Sequence, residues 1–306
     1  MTQLSLNFTS APLQQMQRSP LLAPLSNSAM PCTVCGDGRP YWSETDTYEC
    51  NKELREFDVI LINTSAGKDS LVMLDAICKR AKLEGLLNRV VVVHADLGRA
   101  EWKGTRELAE RQAAKYGVRF EVVSRPQGDL LDQVEERGMW PSSSARYCTS
   151  DHKRGQVAKL ITKLTKELDD QDTWEWEPTI LNCMGLRADE SSERAKRHPF
   201  TLCKRGTNSK RTVYNWLPIH HWSEDQVWDH IRSNDLEYHY AYDLGMSRLS
   251  CVFCVFAPVA QLQLAAAHNP ELLEEYLEVE RKIDHDFQNG RSLAESVTMH
   301  QIAEVA

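Results

Sequence analysis

The chain has no apolar run of about 18 residues or more, so a transmembrane helix is not expected. Its first residues show no basic region followed by an apolar stretch. A signal peptide is therefore not expected, and the cytoplasm is the expected compartment. A positive excess is also missing. The formal net charge of −8 argues against a protein that coats nucleic acid by bulk electrostatics. Internal repeats are absent, which sets solenoids aside. Disulfides have little place in a reducing compartment, so the nine cysteines are expected as thiols or metal ligands.

An apolar strand, Val59-Ile60-Leu61-Ile62, runs into the small-residue turn Ser65-Ala66-Gly67-Lys68-Asp69-Ser70. An amphipathic stretch follows, with Leu71, Val72, Leu74 and Ile77 on one face. Strand, turn and helix in this order make a phosphate cradle. Backbone N–H groups at a helix start point at the anion, and the helix dipole favours negative charge. Lys68 adds a full positive charge. A Walker A loop would need glycine at position 62, where this chain has Ile62. The plainer alternative is an ordinary strand–turn–helix with a surface lysine.

Residues 1–52 are rich in Ser, Pro and Gln without period and read as a flexible segment. Within them, Cys32-Thr33-Val34-Cys35 is half of a zinc knuckle. From about residue 53 the chain alternates strand and helix. Strands are expected at 57–62, 89–94, 119–123 and 179–185, and helices at about 69–84 and 102–116. This pattern predicts an α/β fold built on a doubly wound parallel sheet, with ligands beyond the carboxyl ends of the strands. Ser223 and Gln226 fit a capping box opening a short helix. A helical, amphipathic C-terminal extension is expected over 259–306.

Those carboxyl ends carry chemistry. The second strand ends in His94-Ala95-Asp96, where an acid suits a ribose hydroxyl or a metal-bound water, or simply caps a turn. The fourth leads into Gly185-Leu186-Arg187-Ala188-Asp189-Glu190 and on to Arg194. Arginine forks suit phosphate or sulfate oxygens, and carboxylates suit magnesium, while a salt-bridged surface loop is the plain alternative. Cys148 and the pair Cys251 and Cys254 supply three thiols, with Cys203 or Cys183 as a possible fourth. Such a set suits an iron–sulfur cluster or zinc, or is a group of buried free cysteines. Between Arg194 and Arg211 lie seven basic residues and no acid, which reads as a solvated loop or a landing site for a polyanion.

Taken in order, these segments resemble the phosphoadenylyl-sulfate (PAPS) reductase family of the PP-loop adenine-nucleotide alpha-hydrolases. The resemblance runs from about Phe57 to Pro258, the expected domain of residues 53–258. It rests on Ser65-x-Gly67-Lys68-Asp69-Ser70, His94-Ala95-Asp96, Cys148 to Lys153, Gly185-x-Arg187-x-x-Glu190, Leu217-Pro218, and Gly245-x-x-Arg248-x-x-Cys251-x-x-Cys254. Family reductases use a cysteine in a C-terminal tail, whereas no cysteine follows Cys254 here. Lys68 and Asp69 are kept, as in members that cleave ATP.

The resemblance therefore implies an ATP pyrophosphatase that serves sulfur insertion, as in DNA phosphorothioation proteins and tRNA thiolases. It implies ATP and Mg2+ as cofactors, with phosphate held by Ser65, Ala66, Gly67, Lys68 and Ser70. His94, Asp96, Gly185 and Arg187 would border the nucleotide. Lys68, Asp69, Arg187 and Arg194 would act on the reacting phosphates, and Asp69 would hold magnesium. Cys148, Cys251, Cys254 and Cys203 would carry a 4Fe-4S cluster, and Cys32/Cys35 would carry zinc. Implied partners are a nucleic-acid acceptor and a sulfur donor such as a cysteine desulfurase or a thioredoxin-like reductant. Rival expectations are a sulfonucleotide reductase, a sulfate adenylyltransferase small subunit, and a nucleotide-binding protein without catalysis.

Overall fold

Branched apolar residues fill both faces of the first strand. Val59 and Leu61 point to one side and Ile60 and Ile62 to the other, and all four are fully buried. A strand covered on both faces belongs at the centre of a parallel sheet. The computed structural model, which describes residues 53–169, 177–288 and 290–298, places it there. The Cys32/Cys35 segment lies outside the described residues.

The sheet is built from β1 (Val59–Thr64), β2 (Val90–Ala95), β3 (Arg119–Val123), β4 (Thr179–Met184), β5 (Phe200–Leu202) and β6 (Thr212–Trp216). Their order across the sheet is β3-β2-β1-β4-β6-β5. Every neighbouring pair is parallel except β5 with β6, so the doubly wound parallel sheet is present with one antiparallel edge strand. The order reverses at β1, between β2 and β4, which is where such sheets open a crevice.

The helices are α1 (Lys68–Leu83), α2 (Thr105–Ala114), α3 (Leu130–Arg137), α4 (Tyr147–Thr149), α5 (Gly155–Asp169), α6 (Ser192–Ala195), α7 (Glu224–Ser233), α8 (Val259–His268), α9 (Pro270–Ile283) and α10 (Leu293–Thr298). On one face of the sheet, α1 and α7 pack over Ile60 and Ile62. On the other, Val157, Leu160, Ile161, Leu164 and Leu168 of α5 pack over Val59, Leu61, Val91 and Val93. A third apolar cluster joins α3, Tyr147 and Val252-Phe253 to Tyr276 of α9, Leu293 of α10 and Phe287 between them. The extension is therefore welded to the body by shared core.

Some boundaries differ from the sequence pattern. β1 ends at Thr64, because its polar last residues still pair with β2 and β4. The helical tail is not continuous: among the described residues it forms three helices, α8, α9 and α10. Pro270 has no N–H to donate and holds Asn269 out of the helical region, at φ −137° and ψ 59°. The capping box at α7 forms as expected: Gln226 N donates to Ser223 Oγ at 3.2 Å, and Ser223 N to Gln226 Oε1 at 2.8 Å. β5 lies inside the stretch read as a basic loop. Its three residues are too few to show a period.

Candidate functional site

The turn after β1 is wound by its own small side chains. Ala66 N donates to Thr64 Oγ1 at 3.1 Å, Ser65 N to Ser70 Oγ at 3.2 Å, and Ser70 Oγ to Gly67 O at 2.9 Å. Ala66 is fully buried and held at φ 55°, a left-handed conformation that non-glycine residues adopt seldom. The turn delivers the chain to α1 with its first amides facing the crevice. Among the described residues, the N–H groups of Gly67, Asp69 and Ser70 have no acceptor. They are orphan donors of a helix start, the arrangement that binds anions.

Lys68 is not a surface lysine. Its side chain is 2% exposed. Nζ donates to Ser247 O at 2.9 Å and lies 3.3 Å from Glu224 Oε1 and 3.9 Å from Asp69 Oδ2. The backbone N–H of Lys68 donates to the Tyr242 hydroxyl at 2.9 Å. The same hydroxyl accepts from Leu249 N at 3.3 Å, and burial pushes its pKa up to about 12. A Cβ on Gly67 would come within 3.3 Å of that hydroxyl and 3.4 Å of Leu249 Cβ. This is a correction to the open cradle read from the sequence. Residues 242–249 strap the turn, and Tyr242 takes the Lys68 amide, while the Ser65 and Ala66 amides are bound within the turn itself.

The end of β4 closes on the start of α1. A Cβ at Gly185 would lie 3.0 Å from the backbone C and O of Asp69 and the N of Ser70, so any larger residue would push β4 and α1 apart by a few tenths of an ångström. Arg187 is 2% exposed. Its Nε meets Asp69 Oδ1 at 2.5 Å, and its Nη1 bonds Asp189 and, at 3.2 Å, Trp222 O. Glu190 Oε2 accepts from Arg187 N at 2.9 Å and pairs with Arg194, while Arg248 stands 3.8 Å from Oε1. Both arginines expected as free phosphate clamps are thus engaged by carboxylates. Burial raises the pKa of Asp69, against the pull of Lys68 and Arg187. With that carboxylate committed to Arg187, magnesium would have to displace an ion pair to reach it.

From the β2 side, His94 is buried, with Nε2 at 2.9 Å from Glu101 Oε2 and Nδ1 at 3.2 Å from Thr64 O. Burial pulls its pKa down, but the bonds to Glu101 and Thr64 outweigh that and leave it raised. The imidazole therefore ties the end of β2 to the last residue of β1. Asp96 caps the next turn, accepting from Gly98 N at 2.8 Å, with Arg106 at 3.7 Å.

The cysteines fall into three places. Cys148 and Cys251 pack against the cluster of the C-terminal helices, and Cys254 adjoins them closely enough that their charges interact. Cys203 packs against the α5 cluster, and Cys183 is buried between the sheet and α1. Neither expected fourth ligand stands with the other three. Alternation puts Cys183 under α1, and Cys203 follows the far edge strand. Among the described residues, no group of three or more His, Cys, Asp or Glu side chains is arranged to hold a metal ion. Among the described cysteines, none therefore stands as the fourth ligand of the expected 4Fe-4S cluster. Burial pushes the Cys251 thiol up to about 12 and raises Cys254, while Lys153 pulls both down.

Sequence reasoning passed over Tyr242, Ser247, Glu224, Glu101 and Trp222. Their roles come from contacts across 7 to 179 positions. Glu224 beside the capping serine, Tyr242 and Ser247 in the cysteine segment, and Trp222 after Leu217-Pro218 all stood in segments already singled out, but nothing local marked their roles.

The phosphoadenosine phosphosulfate reductase domain model matches residues 59–257. An uncharacterized 37.8 kDa protein of Escherichia phage 186 is 24% identical over 226 residues, 69% of this chain and 64% of its own. The adenosine 5'-phosphosulfate reductase of Shouchella clausii is 27% identical over 195 residues, 63% of this chain and 69% of that protein. A phosphate complex of PAPS reductase from Candida auris matches with TM-score 0.44 and 19% identity, over 64% of this chain and 82% of that one. The chain spans 64% of the phage protein and 49% of protein MJ0973 of Methanocaldococcus jannaschii, so about half to two thirds of those relatives.

Proposed function

Because this chain belongs to the phosphoadenosine phosphosulfate reductase domain family, we propose that it binds ATP at the Ser65–Ser70 turn and cleaves it between the alpha and beta phosphates. One observation carries this reading: the buried Lys68 ammonium stands beside the Asp69–Arg187 pair at the carboxyl end of β1. The open amides of Gly67, Asp69 and Ser70 would receive the pyrophosphate oxygens, and Lys68 would neutralise charge as the bridging bond breaks. An acceptor oxygen attacks the alpha phosphorus, the alpha–beta bridge opens, and pyrophosphate leaves; magnesium, if held beside Asp69, would help neutralise its charge. The acceptor is then adenylated, and AMP is the group that sulfur displaces. Nucleic acid is the proposed acceptor; a persulfide donor such as a cysteine desulfurase supplies the terminal sulfur that displaces AMP, and a thioredoxin-like dithiol then reduces the remaining S–S bond, leaving the thiolated acceptor and an oxidised dithiol. Domain limits of 53–258, with 259–306 as an extension, belong to the same proposal.

A second reading is sulfonucleotide reduction, favoured by the similarity to adenosine 5'-phosphosulfate reductases and by the grouped thiols of Cys148, Cys251 and Cys254. It needs a thioredoxin-like reductant. One experiment separates the two. The protein is incubated with ATP and magnesium, with and without DNA or tRNA, and pyrophosphate and AMP are measured. In parallel it is given adenosine 5'-phosphosulfate with thioredoxin, and sulfite is measured. Pyrophosphate without sulfite supports the first reading; sulfite without pyrophosphate overturns it in favour of the second.

A further inference from the structure

The basic stretch 194–211 does not act as one surface. Arg194 pairs with Glu190, Lys196 with Glu193 at 2.8 Å, and both stand near the β4 loop. β5 then runs antiparallel to β6, with Phe200 opposite Trp216 and Leu202 opposite Tyr214. The chain thereby leaves the PP-loop end of the sheet and turns at the opposite lip. Lys204, Arg205 and Lys210 are exposed there.

That turn is pinned to α5. Arg211 is 8% exposed; its Nε donates to Gly206 O at 2.8 Å and its Nη1 to Thr162 Oγ1 at 2.9 Å. Cys203 packs beneath, on the α5 cluster. Thr162 lies on the outer face of α5, and Lys159 and Lys166, three before and four after it, share its stripe and are exposed. Lys163 points away, 3.3 Å from Glu121 on β3. The contact between Arg211 and Thr162 therefore merges two basic patches from distant sequence. Among the described residues, Lys159, Lys166, Lys204, Arg205 and Lys210 have no carboxylate partner. Asp169 and Glu177, both exposed, bound the surface where α5 ends and β4 begins.

We propose that this five-cation surface of α5 and the β5–β6 turn holds the sugar-phosphate backbone of a nucleic acid. The inference rests on the nucleic-acid acceptor of the preceding reading and adds where that acceptor docks. An anionic membrane suits the surface less well. The apolar side of α5 is buried against the sheet, so no apolar face is left to insert. A backbone ligand needs only spaced cations, and Lys159 and Lys166 are about 10 Å apart along the helix. The surface lies at the amino end of β6 and the PP-loop at the carboxyl end of β1, two strands away, so the two are separated by more than the length of β6, about 13 Å. The acceptor is thus anchored on one lip and reacts on the other.

The test is fluorescence anisotropy of labelled duplex and single-stranded oligonucleotides across a salt series. It compares the wild-type chain with a variant carrying Lys159→Gln, Lys166→Gln, Lys204→Gln, Arg205→Gln and Lys210→Gln. Binding should weaken at least about tenfold in the variant, and the slope of log affinity against log salt should flatten by about 3.5 for single strands and about 4.5 for duplex. The affinity for a non-hydrolysable ATP analogue and the circular dichroism spectrum should be unchanged, which reports an intact fold and PP-loop. Equal affinity and slope in the two proteins would overturn the proposal, as would wild-type binding to phosphatidylserine vesicles but not to oligonucleotides. Nucleic-acid binding without pyrophosphate formation would sink the catalytic reading and leave this surface standing. Pyrophosphate formation without binding would do the reverse.

Discussion

Replacing Tyr242 by Phe removes a single hydroxyl, and the sign of its effect on nucleotide affinity is diagnostic. That hydroxyl accepts from Lys68 N at 2.9 Å and from Leu249 N at 3.3 Å. In the nucleotide-free protein both donors would lose their acceptor. A neutral hydrogen bond contributes about 0.5–1.5 kcal/mol, and a buried donor left unmet costs about 1–3 kcal/mol. The variant should therefore melt several degrees below wild type, at roughly 2–4 °C per kcal/mol for a chain of this size. With nucleotide bound, a phosphate oxygen takes over the Lys68 amide, so that part of the penalty vanishes. The difference, about 1 kcal/mol, should tighten binding about fivefold. Isothermal titration with a non-hydrolysable ATP analogue reads the affinity, and a thermal scan reads the stability. A variant that melts lower yet binds more weakly would refute the reasoning. Tyr242 would then be part of the nucleotide's own site and not a stand-in for its phosphate.

Three further outcomes follow from the same geometry. Lys68→Ala and the bulk-preserving Lys68→Met should both abolish pyrophosphate formation while the circular dichroism spectrum stays that of a folded α/β protein; turnover at the wild-type rate in either would remove Lys68 from the chemistry. Gly185→Ala pushes a methyl to 3.0 Å from the Asp69 backbone; it should cost about 1–3 kcal/mol in urea unfolding, and an unchanged midpoint would show that the β4–α1 approach is looser than described. Asp75 is 1% exposed, and although burial opposes ionisation, bonds from His230, Tyr116 and Lys79 lower its pKa from 3.8 to about 2. A lowered folded pKa gives stability that is complete above the unfolded value and lost as pH falls towards 2, about 2 kcal/mol at 1.36 kcal/mol per unit. Stability measured from pH 5 to pH 2 should fall less steeply in Asp75→Asn, and parallel curves would contradict the assignment.

The sheet was legible because its strands are short runs of Val, Ile and Leu that differ from the helices between them. The run Val90 to Val93 admits almost no reading but a buried parallel strand. The loops at the strand ends were legible for a related reason. Polar, glycine-bearing turns after apolar strands mark a crevice wherever the strands are parallel. What the sequence could not show is pairing. Arg187 and Asp69 each look like a free charge until β4 is set beside β1, 118 positions apart, and their ion pair consumes both. Tyr242 looks like part of a cysteine segment until the strap folds back on the turn. Cys203 looks like a fourth thiol until β5 carries it to the edge strand and the wrong face. Local pattern fixes which residues face a core or an opening; long-range contacts decide which of those that face the opening are free to act.

The central claim is that the amides at the start of α1 grip a nucleotide's phosphoryl groups. The direct measurement is a titration of the isotope-labelled protein with magnesium and a non-hydrolysable ATP analogue, followed through the backbone amide resonances. The account predicts the largest shifts at Gly67, Lys68, Asp69 and Ser70, with Leu249 moving as the Tyr242 hydroxyl is displaced. Saturable binding that leaves those amides unmoved and shifts a different part of the fold would contradict it.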